Sequence, residues 1–258
     1  MLVKILRYFR IKDWLHILGV PALGFVYNPN FNLLSIEFVS VLLLSSLGLA
    51  AAYSLDATYN KKSKLLPAIT TSIIGLIYAL FLNLTVFFLS LTAALIVVAY
   101  IAPPFRFKSI PIVVTISNSL VFAILFLVGY SILSDLNMNA LLVAAFIGMA
   151  TFPAQLVHEI AHFSKDKKKR LITTPIKFGL KFTRFLILIS LISLVIWSFF
   201  LYIYGNFLIL FPILSIGFSV FFYIILKFVK NTAKARLYIR YLSIALGLLL
   251  LTIFLLRI

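Results

Sequence analysis

Cysteine is absent from this chain of 258 residues. Disulfides, thiolate catalysis and metal sites with cysteine ligands are therefore excluded. Acidic side chains are scarce too, with six aspartates and glutamates, and there are three histidines. Charged residues of both signs make up 11% of the chain, less than half of the roughly 25% that is usual in soluble domains. The few acids and imidazoles are therefore the first candidates for chemistry.

Apolar residues are in excess, at 64% of the chain. Such a share predicts an all-α integral membrane protein, because only helices or closed barrels satisfy their backbone polar groups in lipid. We expect no signal peptide, since the basic, amphipathic start leads into a helix without a cleavage site. The apolar runs predict nine spanning helices in one domain over residues 1–258. The predicted spans are 14–32, 34–55, 67–83, 85–102, 110–133, 139–157, 181–204, 207–226 and 237–256.

Lysine and arginine number 23 and give a net charge of +17. Of these, 22 fall in five segments that alternate along the chain with small neutral or acidic turns. The positive-inside rule places these segments and the N-terminus in the cytoplasm, and the C-terminus outside the cell membrane. We attribute the basic excess to topology and to anionic membrane lipids rather than to nucleic acid. The basic segments are 1–13, 56–66, 103–109, 159–184 and 227–240.

Two groups of polar side chains stand at predicted cytoplasmic helix ends. Asp56 and Asn60 are one helical turn apart at the end of the second span. Glu159, His162 and Asp166 follow the sixth span at a spacing that puts them on one helix face. If the two groups face each other, they offer the few carboxylates that Mg²⁺ prefers beside phosphate oxygens, with lysines nearby for a lipid diphosphate. Alternatively, Asp56 only offsets nearby lysines, and the lysine run after Asp166 is a solvated loop.

Residues 158–162 also read H-E-x-x-H, a pattern found in zinc metalloproteases. There, two imidazoles one turn apart bind zinc and the glutamate acts as general base. A third ligand is needed, and no histidine, aspartate or glutamate follows Asp166 in the chain. Asp56 remains a possible third ligand from another helix. An intramembrane zinc protease therefore stays open as an alternative, although a pattern of five residues also recurs by chance.

Three stretches resemble the motifs of the UbiA superfamily of intramembrane prenyltransferases. Residues 52–60, A-Y-S-L-D-A-T-Y-N, resemble the family's N-D-x-x-D-x-x-x-D. The run Y-I-A-P-P-F-R-F-K at 100–108 resembles a Y-x-P-P-x-R-x-K loop. The run E-I-A-H-F-S-K-D at 159–166, followed by T-T-P-I-K-F-G at 173–179, resembles D-x-x-D-x-x-x-D and T-x-P-x-x-x-G. The order, spacing and membrane side of the three stretches agree with the family over nearly the whole chain.

The resemblance implies nine helices in a single bundle around a central cavity, with the active site on the cytoplasmic side. Mg²⁺ would bind a prenyl diphosphate, and ionisation would give an allylic cation for a lipophilic acceptor of quinone, lipid or carotenoid type. The implied metal ligands are Asp56, Asn60, Glu159, His162 and Asp166, of which Asp56, Glu159 and Asp166 are also the implied catalytic residues. The implied substrate-binding residues are Lys64, Arg106, Lys108, Asn60 and Tyr100, the last of which lines the cavity and stabilises the cation through its ring face.

The chain departs from the family motifs mainly by losing acids. Tyr53, Asn60 and His162 stand where the family has aspartates, and Glu159 replaces a further aspartate. Fewer negative charges predict weaker Mg²⁺ binding, with one metal ion fewer, an altered substrate or lost catalysis as the possible consequences. Two alternatives within the resemblance stay open: a terpene cyclase, in which an internal double bond attacks the cation, and a non-catalytic lipid-binding member.

Overall fold

The computed structural model of the chain describes residues 9–60, 64–205 and 207–256. Lys61 and Lys62, two of the cations counted in the second basic segment, lie outside the described residues, as do residues 1–8, Asn206 and Arg257. All regular elements in the described ranges are helical. Two short helical turns, Ile11–Trp14 and Leu15–Leu18, precede α1 (Gly19–Tyr27), α2 (Ile36–Tyr59), α3 (Leu66–Leu82), α4 (Leu84–Ile101), α5 (Val113–Ser131), α6 (Met138–Lys168), α7 (Thr174–Tyr204), α8 (Leu210–Phe228) and α9 (Thr232–Leu256).

Seven of these helices, α2 and α4 to α9, are long and apolar enough to cross a membrane. Helix α3 is apolar overall but has 17 residues, at the lower limit of a spanning helix. Helix α1 has nine residues, and the preceding helical turns cover residues 14–18 of the first predicted span. The multi-pass, all-α membrane class is therefore confirmed, and seven of the nine predicted crossings are supported by length and composition.

The chain forms two compact units. The first comprises the described residues up to Arg106 together with Ile124–Asn137, and the second comprises Phe107–Ala123 and the described residues from Met138 onward. Helix α5 contributes residues to both units.

In the first unit, α2 packs against α3 and α4, and small residues bring α1 close to the second half of α5. A methyl group on Gly24 would overlap the carbonyl group of Phe126, and one on Gly129 would overlap that of Pro21. Glycine at both positions therefore lets the two backbones touch, as in other closely packed membrane helices. A core of Leu44, Ala79, Val86 and Val128 fills the space between α2, α3, α4 and α5.

Two asparagines tie the short turns of the first unit to the end of α5. Nδ2 of Asn28 donates to the carbonyl oxygen of Tyr130 at 3.0 Å and to Oγ of Ser134 at 2.6 Å. Nδ2 of Asn83 donates to the carbonyl oxygen of Ser131 at 2.8 Å, while its Oδ1 accepts from the backbone N–H of Val86 and caps α4. The small neutral turns expected from the sequence are thus fixed by side-chain amides, which satisfy backbone groups that lipid cannot.

In the second unit, α6 packs against α7 and α9, and α8 packs against α7 and α9. The ring of Phe211 in α8 contacts Phe146 in α6, with centroids 5.6 Å apart, and Phe254 in α9, at 6.0 Å. Nε1 of Trp197 in α7 donates to the carbonyl oxygen of Leu142 in α6 at 3.2 Å. Aromatic contacts therefore join the helices of this unit at the end away from the acidic motif.

Two boundaries differ from the predicted spans in a way that matters for the site. Helix α6 continues to Lys168 rather than ending at residue 157, so the whole run 159–166 is helical. Helix α7 begins at Thr174 rather than 181 and is broken at Gly179, which has φ 82° and ψ 164°. Hydropathy ends a predicted span at the first charges, whereas the backbone hydrogen bonds continue past them.

Candidate functional site

Asp56 lies in the last turn of α2. Both of its carboxylate oxygens accept hydrogen bonds from side chains of the first unit. Nη1 of Arg10 donates to Oδ2 at 3.2 Å, and Nδ2 of Asn60 donates to Oδ1 at 3.1 Å. The Asp56 side chain keeps 34% of its surface exposed. Arg10 also binds Asp13 at 2.8 Å and lies over the ring of Tyr53, 5.2 Å from its centroid. Arg10 is thus a close partner of Asp56 that the sequence did not reveal.

The predicted diphosphate-binding residues are spread over the ends of several elements. Tyr100 is half-buried in the last turn of α4. Lys64 is exposed just before α3, and its carbonyl oxygen accepts a hydrogen bond from the Thr58 hydroxyl at 3.0 Å. Arg106 is exposed in the loop after α4, in the left-handed region with φ 44°. Lys108 is half-buried in the one-turn helix Phe107–Ser109 of the second unit.

Glu159 is buried in the second unit, with 5% of its surface exposed, and holds three elements together. Its Oε1 accepts a hydrogen bond from the hydroxyl of Thr115 in α5 at 2.6 Å. Its Oε2 accepts from the backbone N–H of Thr174, the first residue of α7, at 3.0 Å. A carboxylate at this place satisfies a backbone N–H that has no partner within its own helix and complements the positive end of the helix dipole.

Thr174 extends this network to the start of α5. Its hydroxyl oxygen accepts a hydrogen bond from the backbone N–H of Ile112 at 3.0 Å. Ile112 has φ 67°, a left-handed conformation in which a β-branched residue is strained. All three side chains of this network are buried: Thr115, Glu159 and Thr174. Their hydrogen bonds are therefore made to protein groups rather than to water. The network therefore fixes the starts of α5 and α7 against α6.

His162 and Asp166 continue the same face of α6 toward its end. Nε2 of His162 accepts a hydrogen bond from Nη1 of Arg236 in α9 at 2.9 Å. The rings of His158 and His162 are 4.6 Å apart. Asp166 is half-buried in the last turns of α6, and its backbone carbonyl accepts from the N–H of Leu171 at 3.0 Å. An imidazole held by a guanidinium thus separates the two carboxylates of this motif.

These surroundings do not suit the zinc site that H-E-x-x-H suggested. The described ranges contain no group of three or more histidine, aspartate or glutamate side chains placed to hold a metal ion. Nε2 of His162 is occupied by a permanently charged guanidinium, and both oxygens of Glu159 are engaged with threonines. A zinc-bound histidine pair needs its ligand nitrogens and its general base available, and His162 and Glu159 do not provide them.

Two of the other predicted ligands suit a magnesium ion that is also bound to a phosphate ligand. Mg²⁺ is usually held by one or two carboxylates, with waters and substrate phosphates completing its coordination, rather than by a closed protein cage. Asp56 and Asp166 are the predicted metal ligands with partly exposed carboxylates, one in each unit. The amide nitrogen of Asn60 is committed to Asp56. Each of these two carboxylates therefore has the chemistry to bind a magnesium ion that a diphosphate also binds.

Comparison with solved structures shows the same fold in proteins of low sequence identity. A UbiA homolog from Archaeoglobus fulgidus bound to Cd²⁺ is 23% identical, with a TM-score of 0.76 over 96% of this chain and 99% of that one. The homolog bound to GPP and Mg²⁺ is 22% identical, with a TM-score of 0.75 over 96% and 99%. A structure of digeranylgeranylglyceryl phosphate synthase is 18% identical, with a TM-score of 0.77 over 98% of each chain.

Sequence comparison gives the family directly. No curated protein is significantly similar in sequence to this chain. The model of the UbiA prenyltransferase family, however, matches residues 58–247. That stretch begins within the first acidic motif and includes the P-P-x-R loop, the second acidic motif, α7, α8 and the first part of α9. On this match, and with the same fold in solved UbiA homologs, the chain belongs to the UbiA prenyltransferase family.

Proposed function

We propose that this protein transfers an isoprenyl group from a prenyl diphosphate to a lipophilic acceptor of quinone, lipid or carotenoid type within the cell membrane, with Mg²⁺ as cofactor. The proposal is supported by the ligands of relatives with this fold and by two carboxylates of this chain. Relatives with this fold bind GPP or DMAPP together with Mg²⁺, and this chain keeps a partly exposed carboxylate in each motif, Asp56 and Asp166.

The proposed chemistry breaks the C–O bond between the prenyl group and its diphosphate. The prenyl carbon leaves as an allylic cation, forms a bond to the acceptor, and the acceptor loses a proton. When bound, Mg²⁺ neutralises the charge that develops on the departing diphosphate. The proposed Mg²⁺ ligands are Asp56 and Asp166. Lys64, Arg106 and Lys108 would bind the diphosphate oxygens, because such cations gain most where charge develops in the transition state.

Two other predicted residues have supporting roles in this proposal. Tyr100 would stabilise the allylic cation through the face of its ring and help to exclude water from it. Glu159 would act by fixing the starts of α5 and α7 against α6 through its bonds to Thr115 and Thr174. The stability and the transfer activity of Glu159→Gln together decide whether Glu159 also touches the metal ion.

The topology forms part of the same proposal. All nine helices cross the bilayer as one functional domain, the N-terminus is cytoplasmic, and the chemistry takes place at the cytoplasmic face. The distribution of lysine and arginine supports this orientation. The family match supports one functional domain, because residues 58–247 include parts of both compact units.

The test is prenyl transfer by the purified chain. Radiolabelled geranyl diphosphate is supplied with a membrane lipid extract, with and without Mg²⁺, and both released pyrophosphate and labelled lipid are measured. Asp56→Asn and Asp166→Asn should each lower kcat/KM by about 100-fold or more, because metal stabilisation of the leaving group is worth several kcal/mol. Asp135→Asn removes an exposed carboxylate from the turn between α5 and α6 and should leave the rate unchanged.

The possible results separate the candidate functions. Full activity in both Asp56→Asn and Asp166→Asn would refute the metal assignment. Pyrophosphate release that needs no added acceptor and yields a cyclic hydrocarbon would identify a terpene cyclase. Binding of the diphosphate with no release under any condition would identify a non-catalytic lipid-binding member.

A further inference from the structure

Arg236 and His162 form a contact in the second unit that the prenyl-transfer chemistry above does not use. The guanidinium comes from the first turns of α9 and the imidazole from α6, one helical turn before Asp166. Both residues are half-buried. A ring nitrogen that accepts a hydrogen bond carries no proton, so the imidazole in this contact is neutral. The contact therefore positions the guanidinium without cancelling its positive charge.

The surroundings of this pair are cationic. Arg240 lies one turn after Arg236 in α9, and Lys165 lies one turn after His162 in α6. Residues 158–170 and 235–240 together contain seven lysines and arginines but only two acids. One of those acids, Glu159, is buried and bonded to threonines. A cluster of this sign attracts phosphate and repels a metal ion that is not already bound to one.

We propose that Arg236, positioned by His162, binds a phosphate group of the prenyl diphosphate in place of one Mg²⁺ ion. This inference rests on the proposed function. The family motif has an aspartate where this chain has His162, and a carboxylate with one bound Mg²⁺ has a single net positive charge. A neutral imidazole with a guanidinium has the same net charge. The diphosphate thus meets an equal charge with one metal ion fewer, and the planar guanidinium suits phosphate oxygens.

The direct test is the affinity of the full-length protein in detergent for inorganic pyrophosphate, measured by calorimetry with and without Mg²⁺. Arg236→Gln keeps a donor for His162 but removes the charge, and should weaken binding about 10- to 100-fold. Arg236→Lys should recover part of this loss, because it restores the charge without the planar donors. Lys234→Gln is the matched control: it removes the same charge from an exposed position in the same turn of α9 and should leave the affinity unchanged.

Moving the charge from position 236 to position 162 distinguishes phosphate binding by Arg236 from a purely structural role of Arg236. His162→Asp alone should form an ion pair with Arg236 and should not increase the dependence on Mg²⁺. His162→Asp combined with Arg236→Gln restores the carboxylate without the guanidinium. The double variant should recover pyrophosphate binding at high Mg²⁺, with a steeper dependence on Mg²⁺ than the natural protein shows. Thermal unfolding of each variant confirms that the comparison is made between folded proteins.

The outcomes distinguish this inference from the proposed function. Unchanged pyrophosphate affinity in Arg236→Gln overturns the inference, even if the natural protein transfers prenyl groups. A double variant that binds no better than Arg236→Gln at any Mg²⁺ concentration overturns the replacement of a metal ion. Affinity that depends on Arg236 in a protein without transfer activity supports the phosphate contact and rejects the transferase.

Discussion

Replacing Glu159 distinguishes a structural role, holding α5 and α7 against α6, from a catalytic role at the metal ion. Glu159→Gln puts an amide NH₂ group opposite one of two donors, the Thr115 hydroxyl or the backbone N–H of Thr174. A buried donor without an acceptor costs about 1–3 kcal/mol, so the free energy of unfolding should fall by that amount. Thermal or denaturant unfolding in detergent measures the change.

Asp166→Asn supplies the comparison for that experiment. Asp166 is half-buried near the end of α6, so its change should alter the stability by less than about 0.5 kcal/mol while transfer activity is lost. If Glu159→Gln instead keeps its stability and loses activity, Glu159 contacts the metal ion directly. If Glu159→Gln loses stability but keeps substantial transfer activity, the role of Glu159 is structural.

The acidic residues of the candidate site could be predicted from the sequence, whereas their arginine neighbours could not. Asp56 and Asp166 stand out because acids are rare in this chain and costly near a membrane. Arg10 and Arg236 do not stand out, because each is one of many basic residues in segments that the positive-inside rule already explains. The bond from Arg236 to His162 joins residues 74 positions apart. Only the packing of α9 on α6 reveals it.

At the scale of elements, α6 and α7 were predicted in type but not in extent. The polar end of α6 reads as a loop by hydropathy, yet its helical spacing already placed Glu159, His162 and Asp166 on one face, and the helix confirms that spacing. The start of α7 had a local signal as well. Pro175 follows Thr174 at the helix N-terminus, where proline is favoured because its missing N–H is not needed. No local signal in the sequence predicted that Glu159 accepts the hydrogen bond from the backbone N–H of Thr174 at this terminus.

The break in α7 gives a prediction of its own. Gly179 has φ 82° and ψ 164°, a region that is nearly restricted to glycine, and a methyl group there would meet nothing within 4 Å. Gly179→Ala should therefore destabilise the fold through the backbone alone, by about 1–3 kcal/mol. Gly217→Ala is the control, because Gly217 lies in the regular helix α8 with equally open space around it.

Opposite signs are expected for the two glycine variants. Alanine at Gly217 should be neutral or stabilising by up to about 1 kcal/mol, because alanine is the better helix former. The two free energies of unfolding are compared in the same detergent. Equal effects at both positions would mean that α7 is a continuous helix in the protein and that Gly179 has no special conformation.

For the molecule as a whole, composition predicted the multi-pass helical class, and the apolar runs predicted nine spanning helices, of which seven in the described ranges are long and apolar enough to cross a membrane. The described helices follow the predicted spans closely from α2 to α5, where apolar runs are bounded by turns. The first span is the exception, because Pro21 and the N-P-N run at 28–30 interrupt it and leave α1 short. Exposed apolar side chains such as Ile74, Ile77 and Phe81 on α3 are suited to contact with lipid chains rather than water.

The orientation of the molecule is open to a direct test because the chain has no cysteine to give background labelling. Lys168→Cys places a thiol at the end of α6, and Asp135→Cys places one in the turn between α5 and α6; both positions are exposed. The positive-inside rule puts the first in the cytoplasm and the second outside. A membrane-impermeant maleimide should therefore label Asp135→Cys in intact cells and Lys168→Cys only in inverted vesicles. The reverse pattern would place the acidic motifs on the outer face, out of reach of a prenyl diphosphate made in the cytoplasm, and the proposed orientation would be wrong.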